Sequence, residues 1–213
     1  MKFKKLTILI LATIFFSSSL LANSNKFVFN GLKLGDSLLK NYDKLEIEPN
    51  TLPGLPSDKY FAFQEVFKEP IDGVHAFTAW YKAKDKKYRI QAITLNKAYL
   101  NGESLEDCRK DMDNEKNKYA DVLKVEKKLI QESIIELNSD QRKIWRTLSD
   151  NKFKTYYLLV VGKSQQYYDA LKIECLLFTD EYKNQTGEKD RLAISLIPHL
   201  VGEAIDKQRE QMK

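Results

Sequence analysis

Histidine, cysteine and glycine are scarce in this 213-residue chain, at 2, 2 and 8, and each shortage removes a class of chemistry. With only His75 and His199, no H-E-x-x-H zinc helix can be written, and no G-x-S-x-G nucleophile turn occurs either. His75 alternates with Phe77, Ala79 and Tyr81 as a strand residue, and His199 opens a terminal helix; both read as structural or surface positions. Cys108 and Cys175 form no C-x-x-C pair, which excludes a thioredoxin-type redox motif. Gly162-Lys163-Ser164 imitates the end of a phosphate-binding loop, but position 157 is tyrosine where that loop needs glycine. Asp111, Asp113 and Glu115 are spaced like the start of a calcium loop. Lys116 and Val122 then stand where it needs glycine and glutamate. No catalytic residue, cofactor or metal is therefore expected.

Long apolar runs are also missing after residue 22. A membrane-spanning helix needs about 20 predominantly apolar residues, and no later segment approaches that. The beginning of the chain is different. Lys2, Lys4 and Lys5 precede the apolar stretch Leu6 to Phe16, then Ser17-Ser18-Ser19 and Leu20-Leu21-Ala22. That order of a charged, an apolar and a small-residue region reads as a signal peptide over residues 1–22, cut between Ala22 and Asn23. Position 23 is not cysteine, so no lipid anchor is expected. The mature chain, residues 23–213, is expected to be soluble and exported, periplasmic or secreted. Cleavage removes three lysines and no acid, so the formal charge falls from +5 to +2. That balance offers no long-range field to gather nucleic acid.

An oxidising compartment gives the two cysteines a meaning. Cys108 falls on a helical stripe with Leu105, Met112, Tyr119 and Val122; Cys175 alternates with Leu171, Ile173 and Leu177 on a strand. Both sulfurs point inward, so a helix-to-sheet disulfide between Cys108 and Cys175 is expected.

The remaining pattern is α+β: antiparallel meandering strands with a few packed helices. Phe27-Val28-Phe29 reads as a short strand, and Gly31, Gly35 and the Asp36-Ser37 cap introduce a short helix through Leu38, Leu39 and Tyr42. Pro49 to Pro56 is a loop. Tyr60 to Phe67, Val74 to Tyr81 and Tyr88 to Leu95 read as strands, the last two joined as a hairpin by Lys82 to Lys87. A helix runs from Leu105 to Leu123, after an Asn101-Gly102 turn and a Ser104 cap. Residues 125–137 are open to either helix or strand. Strands follow at Ile144 to Leu148, Lys154 to Val161, Ala170 to Thr179 and Leu192 to Ile197. Tyr182 to Asp190 is a polar turn bearing the unused sequon Asn184-Gln185-Thr186, and Pro198 opens an amphipathic helix through Val201, Ala204, Ile205 and Met212.

Each half runs from Asn-Gly through Ser-Leu into a helix and then a meander. Residues 26–100 and 101–213 are open either to duplication or to convergence on common turn and cap chemistry. The segment Gly31 to Tyr42 resembles the opening of small cell-envelope proteins of the BamE and β-lactamase-inhibitor-like type, over about a dozen residues. Tyr156-Tyr157 and Tyr167-Tyr168 place adjacent rings on opposite sides of strands, so one of each pair can form a binding face. The expected function is non-catalytic binding of an envelope protein or polymer. The rival is a hydrolase whose site is assembled from scattered Asp, Glu and Tyr residues.

Overall fold

The computed structural model describes residues 25–53, 59–99, 105–146, 153–164 and 167–198. The signal segment with its Ala22–Asn23 bond, the Asn101 to Ser104 turn and cap, His199 and the C-terminal helix lie outside those residues. So do the side chains of Tyr167 and Tyr168.

Eight strands form one antiparallel sheet: β1 (Thr51–Pro53), β2 (Tyr60–Ile71), β3 (Val74–Lys82), β4 (Ile90–Ala98), β5 (Ile130–Glu136), β6 (Phe153–Ser164), β7 (Tyr167–Leu176) and β8 (Arg191–Ile197). Their spatial order is β1-β2-β3-β4-β8-β7-β6-β5. Two four-stranded meanders thus meet at their last strands. The fold is α+β, with four helices against the sheet: α1 (Lys44–Ile47), α2 (Leu105–Leu123), α3 (Ser139–Ile144) and α4 (Asp180–Thr186).

The junction is symmetric. Ile93 pairs with Leu196 and Leu95 with Ile194, about the central pair Thr94–Ser195. The hydroxyls of that pair lie 2.8 Å apart in a hydrogen bond. Ala92-Ile93-Thr94-Leu95 therefore faces Ala193-Ile194-Ser195-Leu196, a near-copy of itself, across a local two-fold. Carrying the register outward makes β3 equivalent to β7 and β2 to β6.

Period-two alternation sends Phe63, Phe77, Ala79, Ile93, Leu95, Ile173, Ile194 and Leu196 to one face, where they are buried. In the second half α2 covers that face, turning Cys108, Met112, Glu115, Tyr119 and Leu123 inward. Val122 is exposed, so the inward stripe runs to Leu123 instead, one residue from the expected position. Glu115 is tolerated because Lys97 of β4 pairs with it. In the first half Phe27, Phe29, Leu32, Leu38 and Ile47 fill the same layer, with Phe29 stacked on Phe77 at 5.7 Å.

Several local expectations change. Phe27 to Phe29 is not a sheet strand: Asn30 and Gly31, at φ 49° and 74°, fold Phe29 directly back onto Leu32. The helix at Leu38 is a 3-10 turn ending at Lys40, capped by Ser37. Residues 130–136 are strand. Ile144 ends α3 and does not begin a strand; among the described residues of that expected strand Trp145 alone bridges, to Phe178, and positions 147–148 lie outside them. The Asn138–Gln141 capping box starts that helix. The turn at Tyr182 to Asp190 is largely helix α4, capped by Thr179 and ended by Gly187 at φ 74°. The sequon thus sits on a helix.

Candidate functional site

Cys108 on α2 and Cys175 on β7 bring their sulfurs to disulfide distance, 2.15 Å, with their Cα atoms 6.1 Å apart. Beside them the sequence-derived tyrosines separate. Tyr157 turns toward α2 and is 5% exposed. Its hydroxyl donates to Asp113 Oδ1 at 2.7 Å and accepts from Arg109 Nη2 at 2.9 Å. Burial, and then the Asp113 carboxylate, push that hydroxyl up to about 12. Tyr156 lies on the other face under the Lys172 ammonium, 4.7 Å from its ring centroid. On that face Glu174 bridges Lys154 at 2.8 Å and Lys172 at 2.7 Å. Burial alone would raise the Glu174 carboxyl; the two ammonium groups outweigh it and hold it below the ordinary range.

A different place has the shape of a binding site. α2 packs over β6, β7 and β8, whereas among the described residues the first half offers the 3-10 turn and the four-residue α1. The described helical layer stops short of the outer strands there. It leaves a groove of about 540 Å³ between Tyr42, Glu46, Asn50, Leu52, Phe63, Glu65 and Val66, within the range typical of ligand sites.

Each wall has a local cause. Asp43 and Glu46 form a reciprocal capping box, at 2.9 and 2.7 Å, that starts α1. Asn50 Nδ2 and Thr51 Oγ1 then donate to the carbonyls of Glu46 and Ile47, folding the chain into β1. The Tyr42 ring packs on Phe63 with centroids 4.7 Å apart. The rim is apolar and wet: Leu52 is 56% and Val66 79% exposed.

The floor carries a charge. Glu65 pairs with Phe77 on the inward register, among Phe61, Phe63 and Phe77. Its counterpart in the second half, Leu159, is completely buried under α2. The Oε2 atom of Glu65 is buried and accepts no hydrogen bond. Tyr42 engages the same carboxylate: burial first, and then a side-chain hydrogen bond with Glu65, drive its hydroxyl well above the ordinary tyrosine range, so it is Oε2 alone that lacks a donor.

Sequence reasoning missed this groove. The signal was present as an acid at an inward position of the aromatic alternation in Tyr60 to Phe67. A smaller pocket of about 370 Å³ near the other end of β2 is lined by Lys59, Tyr60, Lys82 and Lys84, giving that end the opposite charge. Among the described residues, no three His, Cys, Asp or Glu side chains form a metal-binding group. No helix there is long and apolar enough to cross a membrane. Compared with known proteins, the chain matches no family model, no curated protein and no solved structure.

Proposed function

We propose that this chain is an exported, non-catalytic binding protein of the cell envelope, and that its partner, an envelope protein or polymer, docks at the Glu65 groove. The carrying observation is the groove itself, an aromatic floor with an exposed Leu52 and Val66 rim beside a carboxylate with one buried oxygen. Concave apolar surface with few polar groups is the usual form of a recognition site. Export is supported by the charged, apolar and small-residue order of residues 1–22 and by a cysteine pair at disulfide distance.

A photo-cross-linking side chain at Val66, introduced in the native host, should capture one defined partner. The same label at Lys143, on exposed α3, should not. The partner must then bind the purified protein, and L52D should weaken that binding. Equal capture from both positions would refute the groove as the docking place.

The hydrolase reading has one observation in its favour, since Glu46 and Glu65 line the same groove as Tyr42. Turnover of an envelope glycan or ester that disappears in both E46Q and E65Q would establish it in place of binding.

A further inference from the structure

We infer that the groove recognises a cation on an apolar stem: a lysine or arginine side chain carried by an extended segment of a partner polypeptide. This rests on the groove being the docking place. It goes further in naming the group bound there.

Three observations converge. The first is charge. Glu46 and Glu65 both line the groove, and no lysine or arginine is among its described lining residues. Glu46 is partly committed, because its Oε2 accepts from the Asp43 amide. Glu65 Oε2 is the buried acceptor left over. A buried carboxylate oxygen without a donor is unfavourable, and an ammonium or guanidinium supplies the strongest kind of donor to it. An anionic ligand would meet repulsion from both acids.

The second is the wall. Tyr42 and Phe63 present aromatic surface beside the carboxylate, which suits both a cation and the methylenes behind it. Leu52 and Val66 extend that apolar path to solvent. A bare metal ion would gain nothing from it, and hard cations need six or more oxygen ligands.

The third is the backbone. β1 covers only Phe61 to Phe63 of the twelve-residue β2. The next link is a single bond from the Gln64 amide to the Asn50 carbonyl at 2.9 Å. Backbone groups alternate sides along a strand, so those of Val66 point the same way as Gln64's. No described strand pairs there. An extended polypeptide laid on that edge gains main-chain hydrogen bonds while one side chain enters the groove. A free amine would use the carboxylate alone.

The test is chemical-shift titration of the isotope-labelled protein with three probes: acetyl-Ala-Lys-Ala-amide, its norleucine counterpart, and n-pentylamine. The lysine peptide should shift the amides of Leu52, Gln64 and Val66 and bind at least about ten-fold more tightly than the norleucine peptide. E65Q, with an otherwise unchanged spectrum, should lose at least about ten-fold for lysine and little for norleucine. E65M serves if the amide variant does not fold.

Pentylamine binding as well as the lysine peptide would overturn the polypeptide assignment. Equal binding of lysine and norleucine peptides, or insensitivity to E65Q, would overturn the cation assignment. If cross-linking from Val66 defines a partner whose affinity E65Q leaves unchanged, the docking place stands and the cation falls. If neither partner nor probe engages the groove, both fall.

Discussion

Replacing Cys108 and Cys175 together by alanine should lower stability by about 4 kcal/mol, which is the loop-closure entropy released when positions 67 apart are no longer tied. The location makes this a test of the whole second half. Cys108 lies on the inward stripe of α2, and Cys175 on β7, the strand beside β8. Trimming two sulfurs from this layer adds a smaller cavity cost in the same direction. For a chain of this size, 1 kcal/mol moves the melting temperature by roughly 2–4 °C, so a fall of about 8–16 °C is expected. With a urea slope of about 2 kcal/mol/M the unfolding midpoint should drop by about 2 M. The assay is urea unfolding followed by far-ultraviolet dichroism and by the fluorescence of Trp80 and Trp145. It compares the wild type, the wild type in reductant, and the double variant. Reduced wild type should lose the cross-link contribution alone, and the double variant slightly more, by the cavity cost. Mass spectrometry of unreduced wild type should show a mass two hydrogens below the dithiol and one cross-linked peptide pair. Free thiols on protein recovered from its own host, or a stability loss below about 1 kcal/mol, would refute the reasoning.

Other expectations follow from single contacts. Tyr157→Phe removes the hydroxyl held at 2.7 Å by Asp113 and at 2.9 Å by Arg109, and should cost about 1–3 kcal/mol in urea unfolding. Tyr156→Phe, on the other face, should stay within about 0.5 kcal/mol. Glu174 has a folded value below its unfolded one. Its contribution is present above the ordinary glutamate range and is lost as pH falls through the depressed value. Stability should therefore fall more steeply in acid for wild type than for E174Q, and parallel slopes would contradict this. Gly187→Ala meets no atom within 4 Å, but holds φ at 74°, so its cost of about 1 kcal/mol is one of backbone conformation. Thermal melting reads it directly.

The strands were legible where one face is buried. Phe77, Ala79 and Tyr81, or Leu171, Ile173 and Cys175, alternate because only every second side chain enters the core. The helix from Leu105 to Leu123 and the cysteine pairing followed from the same logic of facing surfaces. Failures came where capping overrides hydrophobic pattern. Residues 139–144 and 180–186 are helical because Asn138 and Thr179 satisfy the first amides, and Gly187 accepts the left-handed stop. Their apolar content predicts nothing of the kind. The groove was illegible for another reason. It exists because the described helical layer over β2 is short, and length mismatch between two halves is a property of their superposition, not of either segment. The tyrosine pair Tyr156-Tyr157 divided between faces as alternation requires. Only the fold shows that the inner ring is locked between Arg109 and Asp113.

The symmetric seam at Thr94 and Ser195 has a consequence for how the chain assembles. β8 is the last of the described strands in sequence, yet it occupies the middle of the sheet between β4 and β7. While the chain emerges from its N-terminus, β4 waits with an unsatisfied edge until residues about one hundred positions later arrive. Sequence-distant closure of this sort is slow, and the waiting edge is open to wrong partners. The near-identical run Ala92 to Leu95 is the matching surface for β8, and it can equally accept the same strand from a neighbouring molecule. Exchange of β8 between two copies is thus the misassembly most compatible with this seam. A chain ending before Arg191 would lose the strand between β4 and β7 and leave α2, through Lys97–Glu115 on one side and Cys108–Cys175 on the other, as the bridge between the half-sheets.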